Sequence, residues 1–250
     1  MQSVPQQRIR EKLDEYMSRR DYKGVERHLL YWLEEARMGG DRRGELMILN
    51  EMVGHYRKTG EKEKSLESGR EALALLKEMD YENTTSAGTT YVNVATACNA
   101  FGENARAMEL FEQARGVYEG SPGTPPQLLG GLYNNMALTC VTQGRFDQAY
   151  ALYDRAMEQM GQVPNGVLEQ AITCLNIANA VEDQWGLEQG QARIDALLEQ
   201  AAQLLATPSV PRDGYYAFVC EKCAPSFEYY GYFLEAEALQ QKAKDIYERS

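Results

Sequence analysis

The chain has 250 residues, 26 of them basic and 37 acidic, for a net charge of −11, and is long enough for one or two domains or one elongated array. An acidic surface repels phosphate backbones and anionic headgroups, so nucleic acid and membranes are not expected partners. No stretch approaches the ~20 apolar residues that span a bilayer, no positive start precedes an apolar run, and the five cysteines are an odd number outside any loop-rich framework; the expected location is cytoplasmic.

Glycines between apolar-periodic segments supply a ruler: Gly60, Gly102, Gly144 and Gly186 stand 42 apart, and Gly231 follows after 45. Taken in chain order, a loose first copy holds Tyr16, Asp21-Tyr22, Val25 and Leu29. The second holds Leu49, Met52, Tyr56, Gly60, Ser65 and Ala72. The third reads Tyr91, Asn93-Val94-Ala95, Gly102, Ala107, Phe111 and Ala114. The clearest copy is the fourth, with Tyr133-Asn134-Asn135-Met136-Ala137, Gly144-Arg145-Phe146-Asp147-Gln148-Ala149, Tyr153 and Ala156. The fifth keeps Cys174, Asn176-Ile177-Ala178 and Val181, with a few extra residues near Trp185. The last holds Cys220, Cys223-Ala224, Phe227, Gly231, Ala236 and Ala243.

A unit of 42 residues accommodates two helices of roughly 16–20 residues joined by short turns. Ala95, Ala137 and Ala178 recur where paired helices must approach closely, and Ala107, Ala149 and Ala236 answer them from the second helix. Glycine after the first helix suits the left-handed backbone of a helix end. Asp80, Ser121-Pro122-Gly123 and Pro164-Asn165-Gly166 punctuate the links between units. These marks resemble the tetratricopeptide (TPR) pattern over nearly the whole chain. The usual TPR period is 34 residues; repeats of this greater length, with the Tyr-Asn-Asn-Met-Ala and Gln-Gly-Arg-Phe-Asp-Gln-Ala phrases, look like those of kinesin light chains. The resemblance implies an all-α, right-handed α-α superhelix, a TPR-like solenoid of about six helix pairs. The expected organisation is one solenoid with repeats at 4–40, 41–81, 82–121, 122–163, 164–208 and 209–250.

In such folds the first helices line the concave surface. With the Tyr133 type of residue counted as position 4 of each repeat, positions 4, 7, 8 and 11 share the core side of the first helix and positions 2, 6, 9 and 13 the opposite side. Position 6 carries Asn93, Asn135 and Asn176 in three consecutive repeats. An amide offers two donors and an acceptor, matching the donor and acceptor of a peptide bond, so a row of them can hold an extended chain by its backbone. The expected peptide-binding residues are Asn93, Thr96, Asn135, Thr142, Asn176, Asn179, Lys222 and Tyr229. The competing reading has the asparagines bonding to an adjacent helix. The clamp by which some TPR domains grip chaperone tails has no counterpart at Val92, Asn93, Thr96 and Leu138, so chaperone-tail binding is not expected.

Cys220-Glu221-Lys222-Cys223 lacks the second ligand pair that zinc needs, and all five cysteines fall at core positions. His28 and His55 accompany no nucleophile pattern, and there is no phosphate loop or catalytic constellation. Pro225 is expected to kink its helix or begin a new one. Trp32 and Trp185 are expected in the core or between repeats, and Phe227, Tyr229, Tyr230, Tyr232 and Phe233 form either a packed terminal repeat or an aromatic pocket. The sequence thus points to a non-catalytic scaffold without a cofactor, whose partner is a protein or an extended peptide, with self-association through the terminal repeats possible. The alternatives are a peptide-responsive sensor acting through another protein and a self-assembling adaptor.

Overall fold

The computed structural model describes residues 3–249. Among them there are only helices, turns and bends: α1 (Gln6–Ser18), α2 (Tyr22–Gly39), α3 (Arg42–Thr59), α4 (Lys62–Glu78), α5 (Thr85–Ala100), α6 (Asn104–Gly120), α7 (Pro126–Thr142), α8 (Phe146–Gly161), α9 (Val167–Leu205), α10 (Gly214–Tyr229) and α11 (Phe233–Arg249). Contacts divide the chain into two compact units, Met1–Thr124 with α1 to α6 and Pro125–Ser250 with α7 to α11.

The helix ends explain why the sequence breaks where it does. After α3 the Glu61 amide donates to the Tyr56 carbonyl at 2.9 Å, after α5 Glu103 donates to Cys98 at 2.8 Å, after α7 Arg145 donates to Cys140 at 2.9 Å, and after α10 Tyr232 donates to Phe227 at 2.8 Å. This is the Schellman closure, which needs a left-handed residue just before the donor. Gly60, Gly102, Gly144 and Gly231 supply it, with φ between 70° and 84°. In the looser first copy Arg20 takes the same place at φ 56°, a conformation that costs a residue with a Cβ about 1–2 kcal/mol. Asp80 does the same after α4, where the Tyr81 amide donates to the Leu76 carbonyl at 2.9 Å, and Asn165 is left-handed at φ 64° in the link after α8.

Gly186 departs from this scheme. Its φ of 76° and ψ of 166° lie where essentially only glycine is comfortable, and the chain passes there from one helical arm of α9 to the next without an intervening loop. With α9 read as two arms, the helices form six consecutive pairs.

In the first unit α3 packs on α2, α4 and α5, and α5 packs on α6. Ala72, Ala95, Ala107 and Ala114 are completely buried where the pairs meet, around Leu49, Tyr56 and Phe111. Asp21 and Asp41 cap α2 and α3 by accepting from the amides of Gly24 and Gly44 at 2.8 and 3.0 Å. Asp41 also accepts from the Val4 amide at 2.9 Å, tying the start of the chain to the third helix. In the second unit α7 packs on α8 and α9, and α10 on α9 and α11. Ala137, Ala149, Ala156 and Ala178 are buried around Tyr133, Tyr153 and Tyr216. Each fully buried large side chain contributes roughly 1.5–3 kcal/mol through removal of apolar surface from water.

All five cysteines are free and buried. Burial pushes the Cys174 thiol up to about 11 and the Cys223 thiol up to about 12, so both remain protonated and unreactive at neutral pH. Two expectations are corrected. Trp185 is 47% exposed rather than buried: it lies directly before the Gly186 break, with the Arg193 guanidinium of the second arm 6.0 Å from its ring. Pro225 does not begin a new helix: α10 runs through it, with the ring on an exposed face.

Candidate functional site

The first helices carry the candidate residues, and each unit presents its own face. In the first unit Asn93 on α5 is half-buried, and its side-chain amide donates to Asn50 Oδ1 on α3 at 2.9 Å. Asn50 in turn donates to the Leu46 carbonyl at 2.9 Å and to Thr90 Oγ1 at 3.0 Å. The Thr96 hydroxyl bonds within its own helix, to the Val92 carbonyl at 2.8 Å.

The second unit repeats this arrangement. Asn176 on α9 donates to Asn134 Oδ1 on α7 at 3.2 Å, and the Thr173 hydroxyl reaches the same oxygen at 3.5 Å. The acceptor is thus the residue at position 5 of one repeat, and the donor lies at position 6 of the next. Asn135 is half-buried on α7, and its side chain makes no hydrogen bond with the described residues. The three asparagines are therefore unequal: Asn93 and Asn176 each spend one N–H on the neighbouring first helix, whereas Asn135 keeps its full capacity. Position 5 escaped the sequence reading because Asn50 and Asn134 lie off the four positions counted as facing outward. The only signal was their recurrence 84 residues apart.

Thr142, at the end of α7, is exposed and donates to the Thr139 carbonyl at 2.8 Å. The remaining candidates gather where α9 meets α10. Asn179 Oδ1 accepts from the Tyr230 hydroxyl at 2.9 Å, and the same hydroxyl lies 2.9 Å from Glu182 Oε2. Tyr229 donates to Glu182 Oε1 at 2.6 Å. Burial, then the Glu182 carboxylate, pushes the Tyr230 hydroxyl far above its ordinary 10, so it stays a donor. Lys222 is exposed on the same helix and lies in a row with Tyr215, Phe218, Pro225 and Tyr229 at helical spacing. Tyr215 and Phe218 stack at 6.2 Å, and the Tyr215 hydroxyl bonds to Glu169. The terminal aromatics divide: Phe227 is buried against Tyr232 at 6.3 Å, while Tyr229 and Phe233 are exposed.

The first unit also holds a cavity of about 370 Å³ between α1, α3 and α5, lined in part by Arg10, Arg43, Asn50, Glu51, Ser86 and Asn93. Sequence reading passed over its two arginines. Arg10 lies in the loosest repeat, and Arg43 precedes the positions counted on α3.

No protein-family model matches the sequence, and no curated protein matches it. Solved structures do. BtubC (BKLC) from P. vanneervenii superposes with a TM-score of 0.58 at 17% identity, over 92% of this chain and 90% of that one. A putative kinesin light chain from Podosopora anserina with nearly identical TPR-like repeats gives 0.52 at 16% identity, over 79% and 92%. NprR in complex with its cognate peptide NprX gives 0.58 at 15% identity, over 98% and 68%. The fold is a TPR-like helical-repeat fold, all-α and built from helix pairs.

Proposed function

We propose that the chain is a non-catalytic binding scaffold that holds an extended peptide, or an extended segment of a partner protein, against the outward faces of its first helices. The observation that carries this reading is Asn135. A half-buried amide with no partner among the described residues keeps two donors and an acceptor to offer, and an incoming peptide backbone matches them. Asn93 and Asn176 support it with their second N–H and their carbonyl oxygens. Thr96, Thr142, Asn179, Lys222 and Tyr229 supply the neighbouring contacts that select side chains. The peptide in the NprR complex gives the same architecture a precedent for this kind of ligand.

The test is selection from a displayed library of short peptides, with the wild-type chain and the Asn93→Ala/Asn135→Ala/Asn176→Ala variant as bait. Extended peptides enriched by the wild type and lost by a variant that keeps its helical circular dichroism support the proposal. Peptides retained by the variant assign the asparagines to structure alone.

A peptide-responsive regulatory module is the second reading, favoured by the same likeness to NprR. It expects a scattering profile that changes when peptide is added, whereas a static scaffold keeps its profile.

A further inference from the structure

The first hairpin departs from the later ones at one position. Counted from the N-caps of the second helices, Asp21, Glu61, Glu103 and Arg145, the same step that reaches Ala72, Ala114 and Ala156 in α4, α6 and α8 reaches Trp32 in α2. The three alanines are completely buried. An indole does not fit the space of a methyl group without pushing its surroundings apart. Trp32 is accordingly half-buried, and α1 packs on α2 less closely than α3 on α4, α5 on α6 or α7 on α8. Between α1 and α2 lies a cleft of about 670 Å³ lined by these two helices alone. It shares no residue with the candidate peptide-binding positions.

Four rings line the cleft in unbroken contact, the longest such run among the described residues. Tyr16 meets His28 at 5.8 Å and 61°, His28 meets Trp32 at 6.3 Å and 76°, and Trp32 meets Tyr31 at 5.1 Å and 76°. Rings set edge to face form a box rather than a stack, and the negative face of each attracts a cation. Lys12 already shows the effect: its ammonium lies 5.2 Å from the Tyr16 centroid and donates to Glu15 at 2.5 Å. Glu11, one turn before Glu15, also lines the cleft and accepts from Gln7 at 2.9 Å. Burial holds His28 below its ordinary 6.5, so its ring adds no positive charge at neutral pH. Arg8 and Lys12 balance Glu11 and Glu15 around the opening, which leaves the choice of ligand to the rings. Ring faces favour a cation that is weakly hydrated, as a methylated ammonium is.

We propose that the cleft between α1 and α2 is an aromatic cage for a methylated ammonium group, with Trp32 and Tyr31 supplying ring faces and Glu11 the counter-charge. The group belongs either to a free quaternary amine or to a methylated lysine side chain. The site does not depend on the peptide-binding reading.

The chain has two tryptophans, so Trp185→Phe leaves Trp32 as the only indole and its fluorescence as the signal. The full chain with this change is titrated with choline, with its neutral isostere 3,3-dimethylbutanol, and with short peptides carrying trimethyllysine or lysine. Choline is expected to bind about five- to tenfold more tightly than the alcohol, and trimethyllysine more tightly than lysine by the same margin. The tighter of choline and the trimethyllysine peptide identifies the source of the group. Tyr31→Ala, at a side chain 55% exposed, and Glu11→Gln should each weaken binding severalfold while circular dichroism stays unchanged. Lys12→Gln should tighten it, because it removes the resident ammonium and frees Glu15; loss of fold does not produce such a gain. Equal binding of choline and the alcohol would overturn the assignment to a cation. A signal that none of the probes moves, or that Tyr31→Ala and Glu11→Gln leave as it was, would overturn the site.

Discussion

Asn135 and Asn176 occupy equivalent positions and should respond differently to the same substitution. Asn176→Ala breaks the bond to Asn134 and leaves an acceptor short of a partner, as Asn93→Ala does at Asn50. Each is expected to cost about 0.5–1.5 kcal/mol, read as a shift in urea midpoint. Asn135→Ala removes no bond within the described residues and should leave stability within about 0.5 kcal/mol, since it touches none of the usual destabilising mechanisms. It should nevertheless weaken peptide binding. Equal destabilisation by all three would mean that Asn135 has a structural partner and would remove the observation on which the proposed function stands. The sequence showed the asparagines and their spacing. It did not show this inequality, because that depends on Asn50 and Asn134 one position earlier, where a side chain lies between the core and outward faces.

At the scale of the helix, close approach and open space make different demands on glycine. A Cβ on Gly88 of α5 would lie 2.3 Å from the Tyr118 ring of α6, whereas one on Gly131 of α7 would meet nothing within 4 Å. Gly88→Ala should therefore cost about 1–3 kcal/mol by overpacking. Gly131→Ala should add up to about 1 kcal/mol by stiffening the unfolded chain and favouring the helix. Chemical denaturation of the two variants tests the pairing of α5 with α6 directly. Helix ends were the most legible part of the fold, because each requires a particular backbone angle and glycine meets it cheaply. The exception is instructive: Gly186 falls on the ruler, yet ends a helix without the closing loop. The extra residues near Trp185 are helical, and the tryptophan is half-exposed beside Arg193.

Charge is spread unevenly over the molecule. The first unit carries 18 basic and 21 acidic residues, the second 8 and 16, so most of the net charge belongs to the second. Both histidines belong to the first. Burial holds His28 and His55 below their ordinary 6.5. The folded state thus prefers the neutral imidazoles, and the unfolded chain takes up protons first as the pH drops. Stability should be full above about pH 7 and fall as the pH moves down through 6.5. Hydrogen exchange between pH 7 and 5 should show protection lost earlier in α2 and α3 than in α7 and α8, and His28→Gln/His55→Gln should flatten that dependence. Loss that starts in the second unit would contradict this assignment.

The amide bond between neighbouring first helices also bears on how such a chain can be lengthened or shortened. Acceptor and donor lie on successive first helices, Asn50 with Asn93 and Asn134 with Asn176, and each donor has a threonine three residues before it, Thr90 and Thr173. The arrangement recurs after two repeats rather than one, so a pair of hairpins is the unit that reproduces it. A shortened chain that passes from the link after α4 straight into α9 would set Asn176 and Thr173 against Asn50 and keep the bond. One that passes instead from the link after α6 into α9 would set Asn176 against Val92 and lose it. Gain and loss of pairs is thus the change in length that this family of helices can absorb without new side chains.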